Sequence, residues 1–287
     1  MAKRRHAAHL SFLRQDFSRL FLSAKLYVVI ATVVLGLLTC FGGLRGYLRG
    51  SDSTVNPFEL YVISASNRLS HWIIYLGAFV LLCDAPFRYP GDTVRLLRTD
   101  RKTWLTSQLL FSAALLGFYF IIVLVFFFLL TAGYWSLSAQ WSETLLVGAA
   151  EGCSRVGIVF GIRFWPELLR RSPWSAVGLT VLLQFLMGAL MTAVLFGAYL
   201  KGRPKIGLIL CAVLPLLDYI LLDAFDFQIC RILAYVISPF SFSSLFRLRP
   251  IGEFPVLYAA CYLLCISAWL LGWLLQQVKS YDFSSVE

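Results

Sequence analysis

Residues 103–142 run for forty positions without one Asp, Glu, Lys or Arg. As a helix rising about 1.5 Å per residue, that stretch is roughly 60 Å long, while a bilayer core is about 30 Å thick. Its densest part, Leu109–Leu130, is almost wholly aliphatic and aromatic. A soluble fold has no place for such a segment, because a folded chain keeps a large surface that water must wet. The rest of the chain agrees: 59% of its 287 residues are apolar and 14% are charged, against about 25% charged in ordinary soluble domains. The expected class is an all-α polytopic membrane protein. The same numbers exclude a disulfide-stapled secreted scaffold, a disordered chain and a nucleic-acid-binding domain. Lys and Arg number 25 against 15 Asp and Glu, a net charge of +10. In this setting the excess reads as loop charge that orients spans against anionic headgroups.

Hydropathy and charge divide the chain as a single transmembrane domain. Residues 1–25 carry six cations, and Leu10, Leu13, Phe17, Phe21 and Ala24 recur at helical spacing. This predicts an amphipathic helix on the cytoplasmic interface, or else an ordinary helix packed on a partner. Spans are expected at about 26–44, 69–87, 105–132, 174–200, 206–222 and 254–278. His71 and Trp72 read as interfacial markers of the second span, and Asp84 lies near its far end. A compact basic loop, 88–104, follows it; Pro90-Gly91 breaks the chain and Asp92 or Thr93 can cap a short helix. Residues 133–173 and 223–253 are then outer segments. Within the first, two short apolar pieces are interrupted by Glu151 and Arg155, which are i, i+4 partners on a helix. Within the second, 232–246 holds Pro239 and four serines and reads as a short non-spanning hairpin.

Six spans put both termini in the cytoplasm, with fifteen cations inside and ten outside. A seventh span at 144–162 sharpens that asymmetry to seventeen against seven. It also places Glu151 and Arg155 mid-membrane, at about 2.5–3.5 kcal/mol each before pairing. The six-span arrangement is therefore preferred.

The chain carries no phosphate-binding loop, no H-E-x-x-H, no C-x-x-C and no G-x-S-x-G, so neither nucleotide hydrolysis nor a common hydrolase site is expected of it. Catalytic residues and metal ligands are both expected to be none. His71 is the only histidine outside the basic lead, and no carboxylate is spaced to orient it. Gly46-x-x-x-Gly50 and Gly157-x-x-x-Gly161 match a helix-contact spacing but sit beside charges, away from strong spans. Among seven cysteines, Cys153 and Cys230 both fall outside in the six-span arrangement, where a disulfide is one option. Asp218 is the one acid well inside a strong span and Gln184 is an amide in the fourth; Asp218, Gln184 and His71 are candidates for a substrate path or dimer seam.

The order of parts carries a resemblance. A basic amphipathic lead, a first span and a second span are followed by Tyr89-Pro90-Gly91-Asp92-Thr93-Val94-Arg95-Leu96-Leu97-Arg98, then Arg101-Lys102-x-Trp104 and a long third span; Ile237-Ser238-Pro239-Phe240 precedes the last span. This resembles the permease subunit of bacterial ABC-2-type ABC transporters across the whole chain, in layout and through loose motifs. The resemblance implies six spans, an N-terminal elbow helix and a coupling helix between spans two and three. Gly91, Asp92, Thr93, Val94, Arg95, Leu96, Leu97 and Arg98 match that coupling segment, which would sit in a cleft of a separate ATPase subunit. Its basic content departs from the family pattern, where an acid often lies near the loop; Asp92 is the nearest match.

The resemblance further implies a second permease copy or homologue, ATP and Mg held by the partner subunit rather than this chain, and a bacterial cytoplasmic membrane. Export of a peptide or other amphipathic substrate is the leading expectation, antimicrobial peptide export or self-protection included. An intramembrane enzyme acting on lipid or peptide, and a non-transporting scaffold or sensor subunit, are the alternatives.

Overall fold

The computed structural model describes residues 2–87, 100–159, 169, 171–220, 238–244 and 255–280. Among them every regular element is helical: α1 (Ala2–Leu22), α2 (Ala24–Ser51), α3 (Pro57–Ser64), α4 (Arg68–Leu82), α5 (Arg101–Leu130), α6 (Glu143–Glu151), α7 (Pro173–Leu200), α8 (Pro204–Tyr219), α9 (Pro239–Phe242) and α10 (Pro255–Ser280), with one 3₁₀ turn at Cys153–Val156. Four of these, α2, α5, α7 and α10, are long and apolar enough to cross a membrane, which gives the chain the character of a membrane protein. The expected spans 69–87 and 206–222 coincide with α4 and α8, whose 15 and 16 residues fall short of that length. The coupling segment Gly91–Arg98 and Cys230 lie outside the described residues.

Local sequence sets the helix starts. Ser23 accepts from the Lys25 amide (3.2 Å), which divides α1 from α2. Asn67 accepts from the Leu69 and Ser70 amides at the head of α4 (3.1 and 3.3 Å). Asn56-Pro57 and Ser172-Pro173 place a cap before a proline in the first turn, where the missing N–H costs nothing. α3 was not among the expected elements; the Asn-Pro pair was its signal.

α7 is the hub, packing on α10, α8, α3 and α5, while α2 packs mainly on α4. Phe41 of α2 meets Phe127 of α5 edge-on at 5.2 Å. Many hydroxyls bond the carbonyl one turn back, as Thr180 to Ala176 and Thr192 to Gly188 do (2.8 and 2.9 Å), so they add no unsatisfied donor to an apolar bundle. Large apolar side chains such as Leu35, Leu129 and Trp269 point outward, as lipid-facing residues do.

Two features go beyond the sequence reading. The buried face of α1 is Phe12, Asp16 and Leu20, while Leu13 and Phe17 flank it and Phe21 is exposed. A stripe of apolar residues could not reveal an acid at the centre of the packed face. Secondly, 143–156 is not one helix. α6 stops at Glu151 because Gly152 takes φ +102°, and the 3₁₀ turn follows. At nine residues, about 13 Å long, α6 cannot cross a membrane. Arg155 Nε still lies 3.3 Å from Glu151 across that break, both side chains well exposed. Beyond the turn, the Val159 amide donates to the Cys40 carbonyl in the middle of α2 (2.8 Å).

Candidate functional site

The described polar groups buried in the bundle form a chain of contacts around the short segment 238–244. His71, on α4, is 2% exposed and stacks on Phe240 with ring centroids 4.4 Å apart and planes 12° from parallel. Its Nε2 lies 2.9 Å from Ser243 Oγ. Ser243 Oγ also donates to the Phe240 carbonyl (2.7 Å). One hydroxyl has one proton, so both contacts are satisfied when His71 carries its proton on Nε2 and donates. His71 is thus enclosed within the bundle, with the 238–244 segment folded over it.

Asp218 lies in the last turn of α8, closer to the helix end than the apolar run suggests, and is fully buried. Its Oδ1 accepts from Ser238 Oγ (2.8 Å) and from Ser241 Oγ. Ser238 also caps α9 by accepting from the Ser241 amide (3.3 Å). Asp218 therefore ties the end of α8 to the segment that covers His71. Tyr75 adds a second tie, its hydroxyl donating to the Cys211 carbonyl of α8 (2.7 Å).

Gln184, on α7, is 5% exposed and accepts from the buried Tyr61 hydroxyl of α3 through Oε1. Gln184 and His71 line one small cavity between α4, α5 and α7, with Tyr75, Met187, Met191 and Ser243 also on its wall. The structure thus brings His71 and Gln184 to one cavity and connects Asp218 to it through 238–244. The serines and Glu59 were not among the candidates. Ser238-Pro239 carried a capping signal, but a contact between 243 and 71 spans 172 positions and leaves no local trace.

A second polar relay lies where α1, α4 and α5 meet. Gln108 Nε2 donates to Asp16 Oδ2 (3.2 Å), and Gln108 Oε1 accepts from the Phe87 amide (3.0 Å). All three residues are buried. Phe17 and Phe87 both pack edge-on against Phe111 of α5 at 5.0 and 4.8 Å. Nearby, Lys25 Nζ pairs with Asp84 at 2.6 Å, the Asp84 side chain 63% exposed.

On the side of the fold that joins α3 to α6, Glu59 is fully buried and accepts from the Ser142 amide (3.2 Å to Oε2) and from Ser142 Oγ (2.7 Å). Burial pushes its carboxyl up to about 7, against which the Ser142 bonds pull down. Val55 pairs with 134–136 by two backbone bonds, so α3 is stitched to the loop ahead of α6.

Among the described residues no three His, Cys, Asp or Glu side chains converge as a metal site requires. Comparison with protein-family models, with characterised proteins and with solved structures finds no match to this chain.

The two acids separate by environment. Asp218→Ala strands two buried serine hydroxyls and should cost about 2–4 kcal/mol. Asp84→Ala loses an exposed pair and should cost under about 1 kcal/mol. Thermal melts of both variants in detergent check this; equal shifts would deny Asp218 a special place.

Proposed function

We propose that this chain is the membrane-embedded permease subunit of an ABC-type transporter, with six spans and both termini cytoplasmic in a bacterial cytoplasmic membrane. It exports a peptide or other amphipathic substrate, pairs with a second permease and draws on ATP hydrolysed, with Mg, by a separate subunit. The observation that carries the reading is the Asp16–Gln108–Phe87 relay. It packs the basic N-terminal helix, the turn after α4 and the head of α5 into one body on both flanks of the segment 88–99. A loop so mounted passes a rigid-body push from a docked ATPase into two membrane helices at once. Gly91–Arg98 is the docking element in this reading, and α1 the elbow that lies along the lipid surface.

Co-expression with candidate ATPases tests it. Replacing Gly91–Arg98 with a neutral linker should abolish co-purification of the ATPase while leaving the permease monodisperse. Docking that survives loss of the whole segment would overturn the assignment.

The Ser243–His71 contact favours a second reading, an intramembrane enzyme acting on lipid or peptide. A hydroxyl hydrogen-bonded to an imidazole is the core of nucleophilic acyl transfer. Against it, the Ser243 proton is engaged by the Phe240 carbonyl. A fluorophosphonate that labels Ser243 in the purified chain would favour the enzyme; an unlabelled serine favours the transporter.

A further inference from the structure

The turn between α7 and α8, Lys201-Gly202-Arg203-Pro204-Lys205, carries three cations in five residues and no acid. All three cations are exposed, and none pairs with a carboxylate among the described residues. Like charges so close repel, and nothing described in the chain offsets that repulsion. Their position adds to it. Arg203 and Lys205 flank the first residue of α8, the helix end at which the backbone dipole already disfavours a cation. Arg203 supplies no capping bond, and the first turn holds no acid.

The turn is also firmly held. The Lys201, Gly202 and Arg203 amides donate to the carbonyls of Gly197, Tyr199 and Ala198 (3.2, 2.8 and 2.9 Å), with Gly202 at φ +68°. Gly207 lets α8 lie close on α7: a Cβ there would meet the Ala198 Cβ at 2.7 Å. Lys201 Nζ rests over the Trp273 ring of α10, 4.9 Å from its centroid, a cation–π contact that joins the turn to a third helix. Directly after the cations, Ile206, Ile209 and Leu210 are exposed, as lipid-facing side chains are. The cations therefore stand where an apolar helix surface gives way to a polar turn, the level of phospholipid headgroups.

We propose that the 201–205 turn binds the phosphate of an anionic phospholipid, with Lys201, Arg203 and Lys205 as its partners and Ile206, Ile209 and Leu210 beside its acyl chains. Charge complementarity selects an anion. The apolar flank selects an anion that carries acyl chains over a free phosphate or an acidic protein. The turn thus does more than orient α7 and α8 in the bilayer: it prefers one headgroup to another. The site lies within one chain and does not rest on the transport reading.

The test uses the purified full chain in neutral detergent, without an ATPase, and three probes: dioleoyl phosphatidylglycerol, zwitterionic dioleoyl phosphatidylcholine and soluble glycerol 3-phosphate. Native mass spectrometry counts the lipids retained across a titration. Each cation near an anionic lipid adds roughly fivefold in affinity. The unaltered chain should therefore hold its first phosphatidylglycerol about tenfold or more tighter than phosphatidylcholine. Lys201→Gln/Arg203→Gln/Lys205→Gln should lose that preference and keep its melting temperature in lipid-free detergent. Arg203→Gln alone, which leaves Lys201 on Trp273, should lose roughly fivefold. Arg14→Gln/Arg45→Gln/Arg49→Gln removes three exposed cations elsewhere and should keep the preference. Glycerol 3-phosphate should not displace the lipid. Equal losses in the two triple variants would reduce the effect to net charge and overturn the proposal. So would a preference that persists without the three turn cations, or displacement by glycerol 3-phosphate at matching concentration. An unaltered chain with no preference between the lipids would overturn it too, and would leave the turn to an acidic protein surface.

Discussion

Gly157→Val should lower the melting temperature by ten degrees or so, on the order of 3–5 kcal/mol. Gly157 has φ +73°, a region that a β-branched side chain enters only with strain of roughly 1–3 kcal/mol. A Cβ there would also lie 2.3 Å from the Gly43 carbonyl carbon and 2.5 Å from its oxygen. The obstruction is reciprocal, since a Cβ on Gly43 would meet the Gly157 carbonyl oxygen at 2.8 Å. Both neighbours are backbone, so no flexible side chain can swing aside, and overpacking adds its own penalty of about 1–3 kcal/mol. Gly46→Ala is the control: a Cβ there meets nothing within 4 Å, and alanine favours a helix over glycine by about 1 kcal/mol. Fluorescence-detected size exclusion after graded heating compares the two. A Gly157→Val protein that melts within a degree or two of the parent would show that the loop does not seat against α2.

The second large effect is on pH. The Glu59 carboxyl sits at about 7 in the fold, from an ordinary 4.5, because burial penalises the ion. The raised value fixes the sign. Below 4.5 the carboxyl is protonated folded or unfolded. Between 4.5 and 7 the unfolded chain releases its proton first, so stability falls as pH rises through that window. Above 7 the loss is complete and amounts to roughly 3 kcal/mol. The fold should therefore be firmer at pH 5 than at pH 8, with slower hydrogen exchange at the Ser142 amide and through α6. Glu59→Gln carries no titrating proton and should flatten that slope. A Glu59→Gln protein that keeps the full slope would place the titration elsewhere.

How much of this could be read from residues alone depends on the range of the interaction. The apolar runs at 26–44, 105–132, 174–200 and 254–278 found the four long helices because hydropathy is a local property of twenty consecutive side chains. The caps at Asn67 and Ser172 are equally local, though the sequence reading did not single them out. Glycine spacing was rightly discounted at Gly46 and Gly50, which meet nothing, but it gave no sign that Gly157 touches Gly43, which lies outside any G-x-x-x-G match. Periodicity put Leu13, Phe17 and Phe21 on the apolar stripe of α1, and could not show Asp16 packed inside because its partner, Gln108, is 92 positions away. His71 and Gln184 stood out as polar residues in apolar surroundings. That they share a cavity is a tertiary fact, and Ser243 had nothing in its own neighbourhood to single it out from the other serines of 238–244.

α2 has one more property that its contacts impose. Lys25 binds Asp84 near its first turn, and some forty ångströms of helix later the chain enters the backbone pairing at Val55. Between those ends, Gly43 sits against Gly157 with no side chain between them to absorb slack. The Gly43–Gly157 contact and the Val159–Cys40 bond notch the rod near its head, so a tilt of α2 there would carry the 152–159 turn with it.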